Sequence, residues 1–192
     1  PSQSNIDIVR YSWERVSEIR LPTDHPAVSP SHAFGLAFYE ALFELNGDLK
    51  PLFANVFQQA RALTGMISYL AWAPTVTGAY RVYTIREINA RKHEDDDPEG
   101  LIQQMHELGA RHFFYKVNPQ YFTLVGPAFV SALKVRLGDE YRHEIGEAWI
   151  RTNSYAAYHM SAGLESQLAW EQGHRKQVGN KPTRQKSGCS IQ

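Results

Sequence analysis

Eight histidines and one cysteine are the residues of this chain best suited to holding a metal or a thioether-linked group, and spacing singles out one of each. Leu101, Met105, Leu108 and His112 recur at steps of four, three and four, so one imidazole lies at the end of an apolar helical face. A lone histidine on such a face is more often a satisfied core residue than a ligand. As a ligand, its neutral ring would offer one nitrogen to a metal while a second group held the other. Cys189 opens the tetrapeptide Cys189-Ser190-Ile191-Gln192, which has the form of a prenylation signal with a terminal residue that favours farnesyl. The other reading of that segment is a solubilising tail that ends in cysteine by chance.

The elements that position these residues read as helices. Ser4 and Asp7 form a capping-box pattern, and Ile6, Val9, Trp13 and Val16 follow at helical spacing, giving a helix that ends near Pro22. Residues 22–30 hold three prolines and are loop. Ser31 is then expected to cap a helix with Phe34, Phe38, Leu42 and Leu45 on one side and Tyr39 and Phe43 beside them, stopping at Asn46-Gly47. A short helical piece runs through Pro51-Leu52-Phe53. Leu63, Met66/Ile67 and Leu70 mark a helix over 57–73 that Pro74 ends.

Residues 74–99 read as an insertion. It contains a β-tolerant stretch (Tyr80, Val82, Tyr83, Ile85, Ile88) and then an acidic run from Glu94 to Glu99, expected to be a solvated loop. After the His112 helix and an Asn118-Pro119 break, Phe122, Val125, Phe129, Leu133 and Leu137 predict one long helix from about Pro119 to Gly138. Ile145, Trp149, Thr152, Ala156, His159 and Leu164 predict a last helix from about Glu140 to Glu171. The expected organisation is a domain over 1–172 and a disordered basic tail over 173–192.

Composition narrows the function classes. The 192 residues carry 20 basic and 20 acidic side chains, and this zero net charge argues against a nucleic-acid binder, which needs a basic excess to neutralise phosphates. The balance is uneven, because residues 173–192 hold five basic side chains and no acids, leaving the body anionic. Hydrophobic residues at 43% and aromatics at 12% suffice for a filled core or a flat apolar ligand. One cysteine excludes an intramolecular disulfide, and the sequence has no apolar run of about 18 residues that would cross a membrane. Without a charged-then-apolar leader, and with Pro1 rather than glycine first, the expectation is a cytoplasmic protein without N-myristoylation. A lipid on Cys189, seconded by the basic tail, would tether it to an anionic membrane surface.

The run Leu108-Gly-Ala-Arg-His112-Phe-Phe-Tyr-Lys-Val117-Asn-Pro-Gln-Tyr-Phe122-Thr-Leu-Val-Gly126 resembles the proximal-histidine region of the globin family, nearest to the neuroglobin-like and bacterial single-domain and sensor globins. Trp13 fits the first-helix tryptophan, Leu49-Lys-Pro-Leu-Phe53 the corner phenylalanine, Gln59-Ala-Arg-Ala-Leu63 the distal helix, and Glu147-Ala-Trp149 the start of the last-helix signature. The resemblance implies an all-α globin fold, a three-on-three helical sandwich with the insertion between distal and proximal helices. It implies haem b (iron protoporphyrin IX) as cofactor and His112 as the axial iron ligand, with the carbonyl of Leu108 accepting from its ring. Phe53, Val117 and Phe122 would pack on the porphyrin.

In register with the family, Tyr39 and Gln59 take the distal positions, with Leu63 as the apolar neighbour; a slip of one residue would bring Gln58 in instead. Two distal donors resemble those of flavohaemoglobins and would stabilise bound dioxygen more than carbon monoxide. The resemblance therefore implies O2, NO and CO as ligands and either NO/O2 redox chemistry, including nitric oxide dioxygenation or nitrite reduction with an external reductase, or gas sensing. Reversible oxygen storage or transport and a haem-free regulatory module are the alternatives. Glutamine is a poor iron ligand, so five-coordinate ferrous haem is expected.

Overall fold

The computed structural model describes residues 2–72 and 98–179, and among these residues every regular element is helical. Helix α1, Gln3–Glu18, buries Ile6, Val9, Trp13 and Val16, the stripe that its sequence spacing sets out. Its cap is Ser2, not Ser4: Ser2 holds the extended backbone that a cap requires, and its hydroxyl accepts from the Asn5 amide. Helix α2, Pro30–Leu45, is likewise capped two residues earlier than the sequence suggests, by Ser29 rather than Ser31. Pro30 decides this, since proline is preorganised for the first helical position, where a missing amide costs nothing.

Asn46 ends α2 in an extended conformation, and its side chain caps the 3-10 helix Gly47–Leu52 by accepting from Asp48. Helix α3, Val56–Trp72, begins at Asn55, whose Oδ1 accepts from the Gln58 amide. Helix α4, Pro98–Arg111, starts inside the stretch read as a loop: Pro98 and Glu99 form its first turn, where both residue types are favourable. The rest of the predicted insertion, with its β-tolerant stretch, lies outside the described residues.

His112–Tyr115 and Pro119–Leu124 are 3-10 helices, so the single helix expected from Pro119 is split before α5, Val125–Leu137. Helix α6, His143–Gly179, continues past Glu171, where the sequence reading ends it. Residues 171–179 hold Arg175, Lys176 and Gln177 and no proline, so nothing in the chain stops the helix there. The predicted tail over 173–192 is thus helical in its first part, and 180–192, with Cys189, lie outside the described residues. No helix among the described residues is long and apolar enough to cross a membrane.

Helices α1, α3 and α4 lie against α2, α5 and α6: α4 runs along α6, α2 packs on α3 and α5, and α1 crosses α6 and α2. Glycines set the closest crossings. A Cβ on Gly35 would stand 2.8 Å from the Ala60 carbonyl oxygen, so α2 and α3 meet nearly backbone to backbone. Between α4 and α6 the contact is reciprocal, with Gly109 against the Met160 carbonyl and Gly163 against the His106 carbonyl.

The interior forms two apolar clusters. The larger is built on Trp13, Phe34, Phe38, Tyr39, Phe129 and Trp149, and the smaller on Leu101, Met105, Phe122, Met160 and Leu164. Two indoles tie α1 into the larger one. Trp149 Nε1 donates to the fully buried Ser12 hydroxyl at 2.9 Å, and Trp13 Nε1 donates to Ser68 Oγ at 3.1 Å.

Candidate functional site

His112 follows the last residue of α4, one helical turn beyond Leu108. Its Nδ1 lies 2.7 Å from the Leu108 carbonyl oxygen. A carbonyl can only accept, so Nδ1 carries a proton and, in the neutral ring, Nε2 bears the lone pair. The ring is fixed on its other side by Phe122, edge-on with centroids 5.4 Å apart. Lys116, in the left-handed region at φ 59°, closes the turn after His112, its amide donating to Phe113 at 3.0 Å. That reversal brings half-buried Val117 back onto the smaller cluster beside Leu108 and buried Phe122.

The remaining predicted residues belong to the other side of the interior. Tyr39 is buried at 6% exposure within the larger cluster, and burial pushes its phenol up to about 12, so it keeps its proton and remains a donor. Phe53, half-buried at the end of the 3-10 helix, stands edge-on to Tyr39 at 5.0 Å and 5.6 Å from Phe43. Phe43 completes this trio; the sequence reading placed it on α2 without a site role, because its neighbour Phe53 comes from a different element.

Leu63 packs on the same cluster from α3. Gln59 is exposed in the first turn of α3 and shares a helical stripe with half-buried Leu63 and Met66. Gln58 shares its stripe with the exposed Ala62 and Gly65. Tyr39, Phe53 and Leu63 therefore belong to one cluster and Leu108, Val117 and Phe122 to the other. Two surface grooves, one between α1 and the α5–α6 corner and one beside the start of α2, touch none of these residues.

A neutral imidazole with a free Nε2, apolar residues from two clusters and one protonated buried phenol form a donor set that fits an iron porphyrin. The family model described as Globin matches residues 36–160, well over half of the chain. The chain is a globin. Its six α-helices among the described residues are the three-on-three arrangement of that fold. This globin is 25% identical to a neuroglobin of Tetraodon nigroviridis over 162 residues, covering 84% of the chain and 91% of the relative.

It is 26% identical to a flavohemoprotein of Rhizobium meliloti (strain 1021) over 131 residues, 68% of the chain but only 28% of that relative. Among solved structures it resembles an engineered carbene transferase derived from a Rhodothermus marinus protein described as a nitric oxide dioxygenase. The TM-score is 0.63 at 18% identity, covering 89% of this chain and 98% of that one, a likeness of fold. Family membership makes haem the cofactor and small diatomic gases the ligands in general.

Proposed function

We propose that this globin holds haem b with His112 as the axial ligand and retains dioxygen through Tyr39 and Gln59, for NO/O2 redox chemistry or gas sensing. The observation that carries the reading is the hydrogen bond from His112 Nδ1 to Leu108, which fixes the tautomer and leaves Nε2 as the ligating atom. Haem, when bound, supplies an iron centre for small gases and for electron exchange. Phe53, Leu63, Val117 and Phe122 supply the apolar surface that a porphyrin needs and keep water from its faces.

Tyr39 holds its proton and donates it as a hydrogen bond to a polar ligand; Gln59 adds an amide donor from α3. At about 1–2 kcal/mol per donor, the pair would slow oxygen release roughly thirtyfold to several hundredfold and carbon monoxide release far less. Gln59, a poor iron ligand, would leave the gas-binding side of a haem held by His112 open, so an unliganded ferrous haem would be five-coordinate. Turnover as a nitric oxide dioxygenase or nitrite reductase needs electrons, which an external reductase would supply.

The exposure of Gln59 favours one second reading, in which Tyr39 acts alone and oxygen binding is reversible storage or transport. Stopped-flow oxygen dissociation on wild type, Tyr39→Phe and Gln59→Leu separates the two. Faster release in both variants, with nitric oxide consumed by the oxygenated wild type in the presence of a reductase, supports the redox reading. Acceleration in Tyr39→Phe alone supports storage, and fast release unchanged in either variant rejects the distal-donor account.

A further inference from the structure

Away from the residues assigned to haem, two of the remaining histidines meet across the tightest helix crossing that a glycine marks among the described residues. His106 Nε2 on α4 and His159 Nδ1 on α6 stand 3.2 Å apart, with ring centroids at 5.3 Å. Both rings are half-buried, and the helices that carry them are held close together. Gly163 lies against the His106 carbonyl and Gly109 against the Met160 carbonyl, so the two backbones are in contact on either side of the pair. Tyr155 and Tyr158 pack edge-on against His159 at 4.6 and 5.1 Å and wall the pair from α6.

We propose that His106 and His159 form a two-imidazole site for a zinc-class divalent cation, clamping α4 to α6. Bonds of about 2.0–2.1 Å from one cation to two nitrogens 3.2 Å apart subtend about 100°, between an octahedral right angle and the tetrahedral angle. Binding needs no net proton release. The proton now shared between the facing nitrogens is replaced by protons on the outer nitrogens, His106 Nδ1 and His159 Nε2, and both inner lone pairs turn to the cation. Water completes the coordination, since among the described residues no third histidine, cysteine, aspartate or glutamate joins the pair.

Burial and the charge of His106 both lower the His159 imidazole below its usual range, which keeps the ligating neutral form at neutral pH. Imidazole nitrogens suit zinc, copper and nickel, whereas magnesium prefers oxygen. The clamp would sit two residues before Leu108, whose carbonyl orients His112, and so brace the helix that carries the proximal ligand.

The test uses the untagged full chain loaded with haem and follows zinc chloride binding by calorimetry and thermal melting, with magnesium chloride as control. Other cation-attracting groups exist, namely the exposed His143–Glu147 pair and the acidic run at 94–99, so the assignment rests on variants. The expected result is an upward shift in melting temperature with zinc and not with magnesium. The tightest zinc site should be lost in both His106→Gln and His159→Gln and retained in His143→Gln. Circular dichroism and the Soret band establish that each variant is folded and loaded. Zinc binding unchanged in either pair variant would overturn the proposal, as would a wild type that responds to pH but not to zinc, which would make the pair a proton site only.

Discussion

The imidazole of His112 donates from Nδ1 to the carbonyl of Leu108 at 2.7 Å, and Phe122 stands edge-on to the same ring. One contact sets the tautomer and the other constrains the ring, so Nε2 has the fixed direction that the proposed ligand role requires.

Replacing His112 by Ala removes the only iron-ligating atom in this account while leaving α4 intact. The variant should purify with little or no Soret absorption when haem is supplied. Added imidazole should restore a six-coordinate or mixed spectrum, because a diffusible ring can occupy the space that the side chain leaves. Absorption spectra with and without imidazole check this.

Tyr39→Phe keeps the ring packing on Phe38 and Phe53 and deletes only the hydroxyl. Oxygen dissociation should accelerate roughly tenfold, the equivalent of about 1.4 kcal/mol, with carbon monoxide release little changed. The melting temperature should barely move, since no hydrogen bond from that hydroxyl supports the fold in the described residues.

Gly109→Ala places a methyl group inside the Met160 carbonyl, and both atoms belong to helix backbones that cannot step aside. Overpacking in a core costs about 1–3 kcal/mol, and a backbone-to-backbone clash falls at or above the upper end. The prediction is a large loss of stability in urea unfolding. Gly65→Ala, in open space on the exposed face of α3, should be neutral or slightly stabilising by comparison.

Arg136 and Asp24 form a buried bidentate pair at 2.5 and 2.8 Å, with side-chain exposures of 3% and 7%, and Arg136 also donates to the Ile19 carbonyl. The guanidinium holds the Asp24 carboxyl below its usual range. The stabilisation is therefore fully present above the unfolded-state value near 4 and is lost as pH falls from there through the lower folded-state value. Asp24→Asn leaves a buried cation unpaired, and unfolding experiments at neutral pH should show a loss of about 3–5 kcal/mol. The pH dependence of stability below 5 should flatten in the variant.

Helical faces were legible in the sequence because burial imposes the 3.6-residue period directly: Ile6, Val9, Trp13 and Val16 on α1, and Leu101, Met105 and Leu108 leading to His112 on α4. Helix ends were less so. Ser2 and Ser4, or Ser29 and Ser31, are equally good caps on paper, and only the backbone conformation at the chosen residue and the position of Pro30 decide between them. The split at Leu124 leaves the apolar spacing of Phe122, Val125 and Phe129 unbroken, so periodicity could not register it.

Pairings across the fold were invisible for a different reason. Arg136 with Asp24, and His106 with His159, depend on how two helices or a helix and a loop rotate against each other, which no local pattern encodes. The one local trace was glycine inside helices: Gly109 and Gly163 mark the α4–α6 crossing that brings the two histidines together. Tyr39 and Phe53 were assigned their roles through family register rather than spacing; the structure sets their rings 5.0 Å apart.

The most direct test of the account is the ultraviolet–visible spectrum of the purified protein reconstituted with haem, taken in ferric, ferrous and oxygenated states. A histidine-ligated haem with an open distal position predicts a Soret band, a five-coordinate ferrous spectrum with one broad visible band, and an oxygenated form stable enough to record. Absence of a Soret band, or a six-coordinate low-spin spectrum in the unliganded ferrous protein, would contradict it.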